Sequence, residues 1–197
     1  MIASAKAEFM EKGYAKASLR KICAKAGVTT GAIYFFFQDK EDLFAAIVEK
    51  PAAELLKIIY DHFKEDEQVI SGPDIYEYQK GDHDDIAELL IHHLYVNYDA
   101  FLLLLTKAQG TRFEHVRDQI VEMTERGCLQ IAESMAAQIP GAKVNEYMGH
   151  WMAHITIDAF VHLLTHKLDE KEALLHSKVM MDYIVKGWME TVLVRKD

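Results

Sequence analysis

The spacing of the apolar residues constrains the fold of this chain most strongly, because they recur every three or four positions along nearly its whole length. One example is the set Leu19, Ile22, Cys23 and Ala26, which stand at the i, i+3, i+4 and i+7 positions of an amphipathic helix. With 3 prolines and 10 glycines, the chain has few residues that favour tight turns, and no segment alternates convincingly as strands do. The sequence therefore predicts an all-α protein of about nine helices.

The composition is that of a folded protein, with 50% hydrophobic and 27% charged residues in a chain of 197. The longest strongly apolar run, residues 101–105, is far shorter than the ~18 residues of a membrane span. The first residues carry charge and lack the apolar segment of a secretory signal. Cys23 and Cys128 have no metal-ligand spacing and are expected to be reduced. We expect a cytoplasmic protein with no cofactor and no membrane partner.

Charge is distributed unevenly along the chain, whose formal net charge is -9. Residues 1–40 hold seven basic and three acidic side chains, a net charge of +4, so the remaining residues carry −13. A basic N-terminal segment on an acidic body suggests a head that contacts nucleic acid, although ordinary local fluctuation in composition also produces such differences.

Three short helices are predicted within the first 40 residues. Gly13 is expected to end the first, Ser18 to cap the second, and Thr29 or Thr30 to cap the third. The second and third are joined by a tight turn at Gly27, which is the helix-turn-helix arrangement. A glycine turn alone is a weak signal, because many helical bundles contain one.

A longer pattern surrounds this turn. Residues 26–37 read Ala-Gly-Val-Thr-Thr-Gly-Ala-Ile-Tyr-Phe-Phe-Phe, preceded by Phe9, Gly13-Tyr14 and Ser18-Leu19-Arg20 and followed by Lys40 and Leu43-Phe44. Over residues 2–48 this pattern resembles the N-terminal domain of the tetracycline-repressor (TetR) family. The resemblance implies a DNA-binding domain at 1–48 and a helical ligand-binding and dimerisation domain at 49–197. It also implies a homodimeric transcription regulator, usually a repressor, that a small molecule releases from a palindromic DNA operator.

The resemblance also assigns roles to individual residues in the head. The predicted DNA contacts are Ser18, Arg20, Thr29, Thr30, Gly31, Ala32, Tyr34 and Lys40. In this interpretation Ser18, Tyr34 and Lys40 contact phosphates, whereas Arg20 pairs with a guanine. Residues 29–32 face bases or their phosphates.

Two features depart from the family pattern. The family commonly has an aromatic residue and a histidine where this chain has Phe35 and Phe36, and Phe36 cannot donate a hydrogen bond to a phosphate. We expect Phe36 to pack against the protein rather than stack on DNA. The chain also starts inside the family's first helix, so we expect the contacts of a basic N-terminal arm to be absent, or the arm to lie outside this sequence.

Breaks are expected within the body as well. Pro51 should kink the fourth helix or restart it, and residues 64–80 are predicted to be a loop or a broken helix. Thr111 is expected to cap a long helix that ends near Gln138.

The last two helices of the body are apolar on more than one side, which predicts a homodimer interface that includes Ile184 and Trp188. The alternative is that these helices are fully buried within one chain. In the family, the preceding helices enclose a pocket, and the aromatic residues and methionines found here suit an apolar or cationic ligand. The predicted ligand contacts are Tyr95, Tyr98, Phe113, Trp151 and His154. Each of them is also compatible with a purely structural role in the core.

Two other functions remain open. His150, His154 and Asp158 follow each other at helical spacing, so the chain could be a helical metal-dependent enzyme. Histidines on such a helix are more often surface or hydrogen-bonding residues, and no nucleophile motif accompanies them. A helical adaptor that binds no DNA is the second alternative.

Overall fold

The computed structural model describes residues 1–70 and 84–195, and this part of the chain contains nine α-helices, which confirms the predicted all-α fold. The helices are α1 (Ile2–Lys16), α2 (Leu19–Ala26), α3 (Thr30–Phe36), α4 (Lys40–Ile70), α5 (Asp84–Val96), α6 (Tyr98–Thr106), α7 (Val116–Gln138), α8 (Glu146–Thr165) and α9 (Glu170–Thr191). No single described helix is long and apolar enough to cross a membrane, and one pair of consecutive helices meets that test jointly, by length and composition only.

A short antiparallel strand pair, β1 (Ala142–Val144) and β2 (Leu193–Arg195), was not predicted from the sequence. Ala142 pairs with Arg195, and Val144 pairs with Leu193. Three residues are too few to show the alternation by which strands are recognised. The last helix ends at Thr191, and the chain then pairs as β2.

The described chain divides into two compact units. One comprises residues 1–54 and 96–117, and the other comprises the described residues within 55–95 and 118–197. We call them the head unit and the body unit. The predicted domain boundary between residues 48 and 49 concerns where the DNA-binding motif ends, and it stays a prediction.

The backbone of the head unit follows the sequence signals closely. Gly13 has a φ of 72° and interrupts the helical geometry of α1, and Gly27 has a φ of 69° and ends α2 in the left-handed region. Both conformations are easily adopted by glycine alone. The N-cap of α3 is Thr29, whose hydroxyl accepts a hydrogen bond from the Ala32 amide at 3.3 Å. The apolar faces of the first four helices form a buried core of Phe9, Ile22, Cys23, Ile33, Leu43 and Phe44.

Residues 98–113 also belong to the head unit and are bonded to its helices. The Lys6 ammonium lies 3.2 Å from the Asp99 carboxylate, and the Tyr14 amide donates to the Lys107 carbonyl at 3.0 Å. The Arg112 guanidinium pairs with Glu49 at 3.0 Å. The stretch between α6 and α7 is therefore held against α1 and α4.

Three predicted helix boundaries differ from the structure. α4 continues as one helix through Pro51 and does not restart there. It also extends to Ile70, so the loop predicted from residue 64 begins too early, and the rest of that segment, 71–80, lies outside the described residues. α7 begins at Val116 rather than just after Thr111, because the Thr111 hydroxyl closes a local turn by accepting from the Phe113 amide. Its end at Gln138 is as expected.

The body unit has a core between α7, α8 and α9. Its buried members are Ile131, Ala132, Met135, Met152, Ile184, Trp188 and Val192. A second, smaller cluster contains Ile91, Leu163 and Ala173. α9 starts with a full capping box, in which Asp169 accepts from the Glu172 amide at 2.8 Å and Glu172 accepts from the Asp169 amide at 3.3 Å.

Candidate DNA-binding site

The third helix presents its outward face to solvent, as a recognition helix must. Ile33 is fully buried and anchors α3, whereas Thr29, Thr30 and Gly31 are exposed and Ala32 is half-buried. A Cβ atom added at Gly31 would approach only the Thr29 hydroxyl oxygen, at 3.9 Å. The first turn of α3 is therefore small and open, so that its backbone can approach the edges of bases in a major groove about 12 Å wide.

The side chains of α2 lie beside this face. Arg20, Lys21 and Lys25 are exposed, and Arg20 forms no ion pair with another described residue. Ser18 is half-buried at the N-cap of α2, but its hydroxyl makes no capping hydrogen bond. Its amide instead donates to Glu8, a buried carboxylate, at 3.3 Å. The Ser18 hydroxyl and the Arg20 guanidinium are therefore available to an external acceptor, and their DNA contacts stay predictions.

Lys40 has partners within the head unit. Its ammonium donates to the Tyr14 carbonyl at 2.7 Å and to the Ala15 and Ala17 carbonyls at 3.4 Å each, and it lies 4.3 Å from the centre of the Tyr14 ring. These bonds satisfy carbonyl groups at the end of α1 and join it to the start of α4. Burial, and then the Glu41 and Asp39 carboxylates, raise the pKa of the Tyr14 phenol. The phosphate contact of Lys40 stays a prediction, and it would compete with these carbonyls.

The aromatic end of α3 differs from expectation. Tyr34 is 56% exposed, Phe35 84% and Phe36 66%, so the prediction that Phe36 packs against the protein is wrong. The rings of Phe35 and Phe36 contact each other edge to face, with centroids 5.1 Å apart. Phe37 is half-buried and ends the helix. Phe35 was absent from the predicted DNA contacts, since the sequence gives no sign of which rings face outward.

The predicted ligand contacts are spread over both units. Phe113 and Tyr98 belong to the head unit, where Phe113 is buried with its ring centre 6.2 Å from that of Phe44. Tyr95 belongs to the body unit and donates its hydroxyl to the Leu168 carbonyl at 3.0 Å. Trp151 and His154 are exposed on α8. Ligand binding by these five residues stays a prediction.

A groove in the body unit, with a volume of about 430 Å³, is lined by other residues. Its lining combines aliphatic with ionisable side chains: Ile58, Asp61, His62, Glu65, Asp66, Asp85, Ile86 and Leu89. His62 and Asp66 approach each other at 3.4 Å. None of these residues was predicted as a site from the sequence, although Asp61, Glu65 and Asp66 are acidic residues close together on α4.

Ile184 and Trp188, the residues predicted for the dimer interface, are 7% and 6% exposed and belong to the core of the body unit. Both side chains face inward within one chain, and their place in a dimer interface stays a prediction; α9 as a whole is not fully buried, which contradicts the alternative of complete burial. The exposed apolar residues of α9 are Leu175, Val179 and Tyr183, spaced at i, i+4 and i+8. The spacing of these three residues can be recognised in the sequence. The helix is apolar on two sides, however, and the sequence does not indicate which side faces outward.

The histidines of α8 have individual partners. His150 Nδ1 lies 2.8 Å from the Glu125 carboxylate, and its ring centre is 4.6 Å from that of His154. His166 Nδ1 lies 2.8 Å from the His162 carbonyl oxygen. Over residues 1–70 and 84–195, no group of three or more histidine, cysteine or acidic side chains has a geometry that could hold a metal ion.

Comparison with known proteins finds that the N-terminal residues are similar to bacterial transcription regulators. Residues 1–47 match the family described as bacterial regulatory proteins, tetR family. The transcriptional repressor BepR of Brucella suis is 44% identical over 48 residues, which are 24% of this chain and 23% of BepR. The chain thus aligns with about a quarter of the length of this curated relative.

Two solved structures are similar over almost the whole chain. A TetR-family transcriptional regulator from Bordetella parapertussis has a TM-score of 0.64 at 16% identity, covering 97% of this chain and 95% of that one. NalD, the secondary repressor of the MexAB-OprM multidrug efflux pump in Pseudomonas aeruginosa, has a TM-score of 0.57 at 20% identity, covering 100% and 94%. At these identities the likeness shows the fold. Residues 1–47 thus match the tetR family of bacterial regulatory proteins, and the rest of the chain shares the fold of TetR-family regulators of known structure.

Proposed function

We propose that this protein is a sequence-specific transcriptional repressor that binds a palindromic operator as a homodimer and is released by a small-molecule effector. One observation carries the proposal: the three-helix head that matches the family presents an open, small-residue face on α3 beside exposed basic side chains on α2. The chain acts in the cytoplasm, where bacterial DNA lies. Its relative BepR is named a repressor, and the enzyme alternative based on His150, His154 and Asp158 has no support among the relatives.

DNA binding through this face has a physical basis in charge and shape. Lysines and arginines that neutralise phosphates release counterions, which supplies affinity without sequence preference. The head has the required positive charge, since residues 1–40 carry +4 in a chain of −9. The DNA contacts we propose are those predicted from the sequence: Ser18, Arg20, Thr29, Thr30, Gly31, Ala32, Tyr34 and Lys40.

Dimerisation is supported by the exposed stripe on α9. Leu175, Val179 and Tyr183 are 65%, 67% and 79% exposed, and they form one continuous apolar row along the helix. A second copy related by two-fold symmetry would cover the same row on both chains. We therefore locate the interface on this row rather than on Ile184 and Trp188. A two-fold dimer also explains why the operator should be a pseudo-palindrome, with half-site centres about 34–36 Å apart or a multiple of that distance.

Thermodynamic linkage relates the release of DNA to the affinity for the effector. A ligand that lowers DNA affinity must bind more tightly to the DNA-free protein by the same factor, and typical couplings correspond to roughly 5- to 150-fold. We propose an apolar or cationic ligand of medium size, with Tyr95, Tyr98, Phe113, Trp151 and His154 as candidate contacts. Their aromatic and polar groups support this choice.

Selection of bound sequences from a random duplex library, followed by affinity measurement at several salt concentrations, tests the proposal. We expect a palindromic consensus and a linear fall of log affinity with log salt, with a slope of about −0.9 per phosphate contact. The control is Gly31→Glu, because the open space at Gly31 accommodates a side chain in the free protein while a carboxylate there repels DNA. This variant should keep its melting temperature and lose binding. No enriched sequence and no salt dependence would refute the proposal and favour the DNA-free adaptor.

A further inference from the structure

The strongest unexplained feature of the head is the pair of phenylalanines exposed at the end of α3. Phe35 is 84% exposed and Phe36 is 66% exposed, and the centroids of their rings lie 5.1 Å apart. Exposing two adjacent phenyl rings to water is unfavourable by roughly 25 cal/mol per Å² of apolar surface. Such a patch indicates a surface that another molecule covers.

The position of the two rings on α3 indicates that DNA is the molecule that covers them. In a helix, residues four apart lie one above the other on the same face, so Phe35 follows Gly31 and Phe36 follows Ala32 along the helix. The rings therefore continue the row of small residues proposed to face the bases. Exposed Arg20, Lys21 and Lys25 lie on the neighbouring α2 and favour a polyanion over an uncharged protein or membrane surface.

A phenyl ring has little to offer a phosphate, because it has no N–H or O–H group to donate. In the major groove, by contrast, thymine carries a methyl group at C5, which is the apolar feature of a surface that otherwise presents hydrogen-bond donors and acceptors. Phenylalanine is one of the side chains that contact this methyl group. A duplex lacking that methyl would leave the rings against polar base edges.

We propose that Phe35 and Phe36 are specificity-determining residues that read thymine methyl groups in each half-site. This inference rests on the proposed function, because it requires that α3 enters the major groove. It assigns to the two rings a discrimination that the hydroxyls of Thr29 and Thr30 and the backbone of Gly31 do not supply. The operator should accordingly contain thymine at a fixed position of each half-site, opposite the C-terminal half of α3.

Replacement of thymine by deoxyuracil tests the inference, because it removes the methyl group and leaves the base pairing unchanged. Each thymine of the selected operator is replaced in turn, and affinity is measured by fluorescence anisotropy. We expect a loss of about four-fold for each contacted methyl, the equivalent of one buried apolar carbon. Replacement at thymines outside these positions should leave affinity unchanged.

Protein variants complete the double-mutant cycle. In Phe35→Ala or Phe36→Ala, the difference between thymine and deoxyuracil at the contacted position should vanish. Both side chains are exposed, so the melting temperatures should stay within about 2 °C of the original. The matched control is Tyr34→Phe, which keeps an exposed ring and removes a hydroxyl, and it should retain the preference for thymine.

The outcomes separate this inference from the proposed function. Specific binding with equal affinity for thymine and deoxyuracil at every position would overturn the inference and leave the DNA-binding function intact. Absence of any specific binding would overturn both. If the rings instead join two protein copies, sedimentation without DNA would show self-association that Phe35→Ala abolishes, together with equal binding of the two bases, and this would also overturn the inference.

Discussion

Among single residues in the head, Arg20 is the strongest candidate for reading a base by hydrogen bonding. Its side chain is exposed on α2, and among the described residues no carboxylate pairs with it. The residues of α3 offer only hydroxyls, methyls, backbone groups and phenyl rings. A guanidinium that bonds both O6 and N7 of guanine distinguishes this base from the others.

Arg20→Ala is therefore expected to relax the preference for one guanine in each half-site, at a cost of about 1–3 kcal/mol for the matched sequence. Binding selection with the variant would show the lost preference directly, and Lys21→Ala on the same helix serves as a comparison for loss of charge alone. A uniform loss of affinity over all sequences would identify Arg20 as a phosphate contact.

The surroundings of Cys128 control the pKa of its thiol. Burial, and then the nearby Asp66 and Glu125 carboxylates, raise the pKa of this thiol to about 12. The thiol is therefore half ionised only near pH 12 in the folded protein, whereas in the unfolded chain it is half ionised near the ordinary value of 9.0. The contribution of the thiol to stability is thus complete below pH 9 and is lost as the pH rises towards 12.

At pH 8 we expect iodoacetamide to leave Cys128 unmodified in the folded protein and to alkylate it in urea, because the thiolate is the reacting form. Mass spectrometry of digested protein locates the modification. The alkylation of Cys23, which is buried in the head unit, is measured in the same digest as the internal comparison. Equal labelling of Cys128 before and after unfolding would contradict the raised pKa.

At the scale of elements, the junction between α1 and α4 depends on Lys40. Its ammonium donates to three carbonyls at the end of α1, while Asp39 caps α4 by accepting from the Asp42 amide at 2.8 Å. Backbone groups at the end of α1 and at the start of α4 therefore find hydrogen-bond partners at the same junction. A phosphate contact was the role predicted for Lys40, and the structure adds this second role.

Lys40→Met keeps the aliphatic part of the side chain and removes the donors, so it should lower the free energy of unfolding by about 1–3 kcal/mol. Urea denaturation measures this change, with Lys16→Met, an exposed lysine on α1, as the control. The salt dependence of DNA binding separates the two roles. A pure phosphate contact would leave stability unchanged and reduce the slope by about one.

At the scale of the whole molecule, dimerisation depends on which side of α9 faces outward. Val179→Asp or Tyr183→Asp should produce folded monomers, because each places a charge in the proposed interface without entering the core. Tyr60→Asp, at an exposed position on α4, should remain dimeric. Trp188→Asp should instead unfold the body unit, since it buries a charge in the core. Sedimentation velocity and circular dichroism distinguish these results, and a monomeric unsubstituted protein at micromolar concentration would rule out the dimer.

The sequence alone determined the class of the fold and the layout of the head. The turn at Gly27, the cap at Thr29 and the apolar positions Ile22 and Ile33 are local features, whose effects reach only a few residues along the chain. A short stretch of sequence therefore specifies the three helices of the head. It also specifies which side chains are exposed in the first turn of α3.

Only the tertiary structure decided which of several apolar faces is buried. It placed Trp188 in the core and left Tyr183 exposed, it left Phe36 in solvent, and it joined residues 96–117 to the head unit. A helix with apolar residues on two sides satisfies its backbone in the same way whichever side is covered. The choice depends on contacts between residues far apart in sequence, such as Tyr14 with Lys107 and Glu49 with Arg112, and no local pattern encodes them.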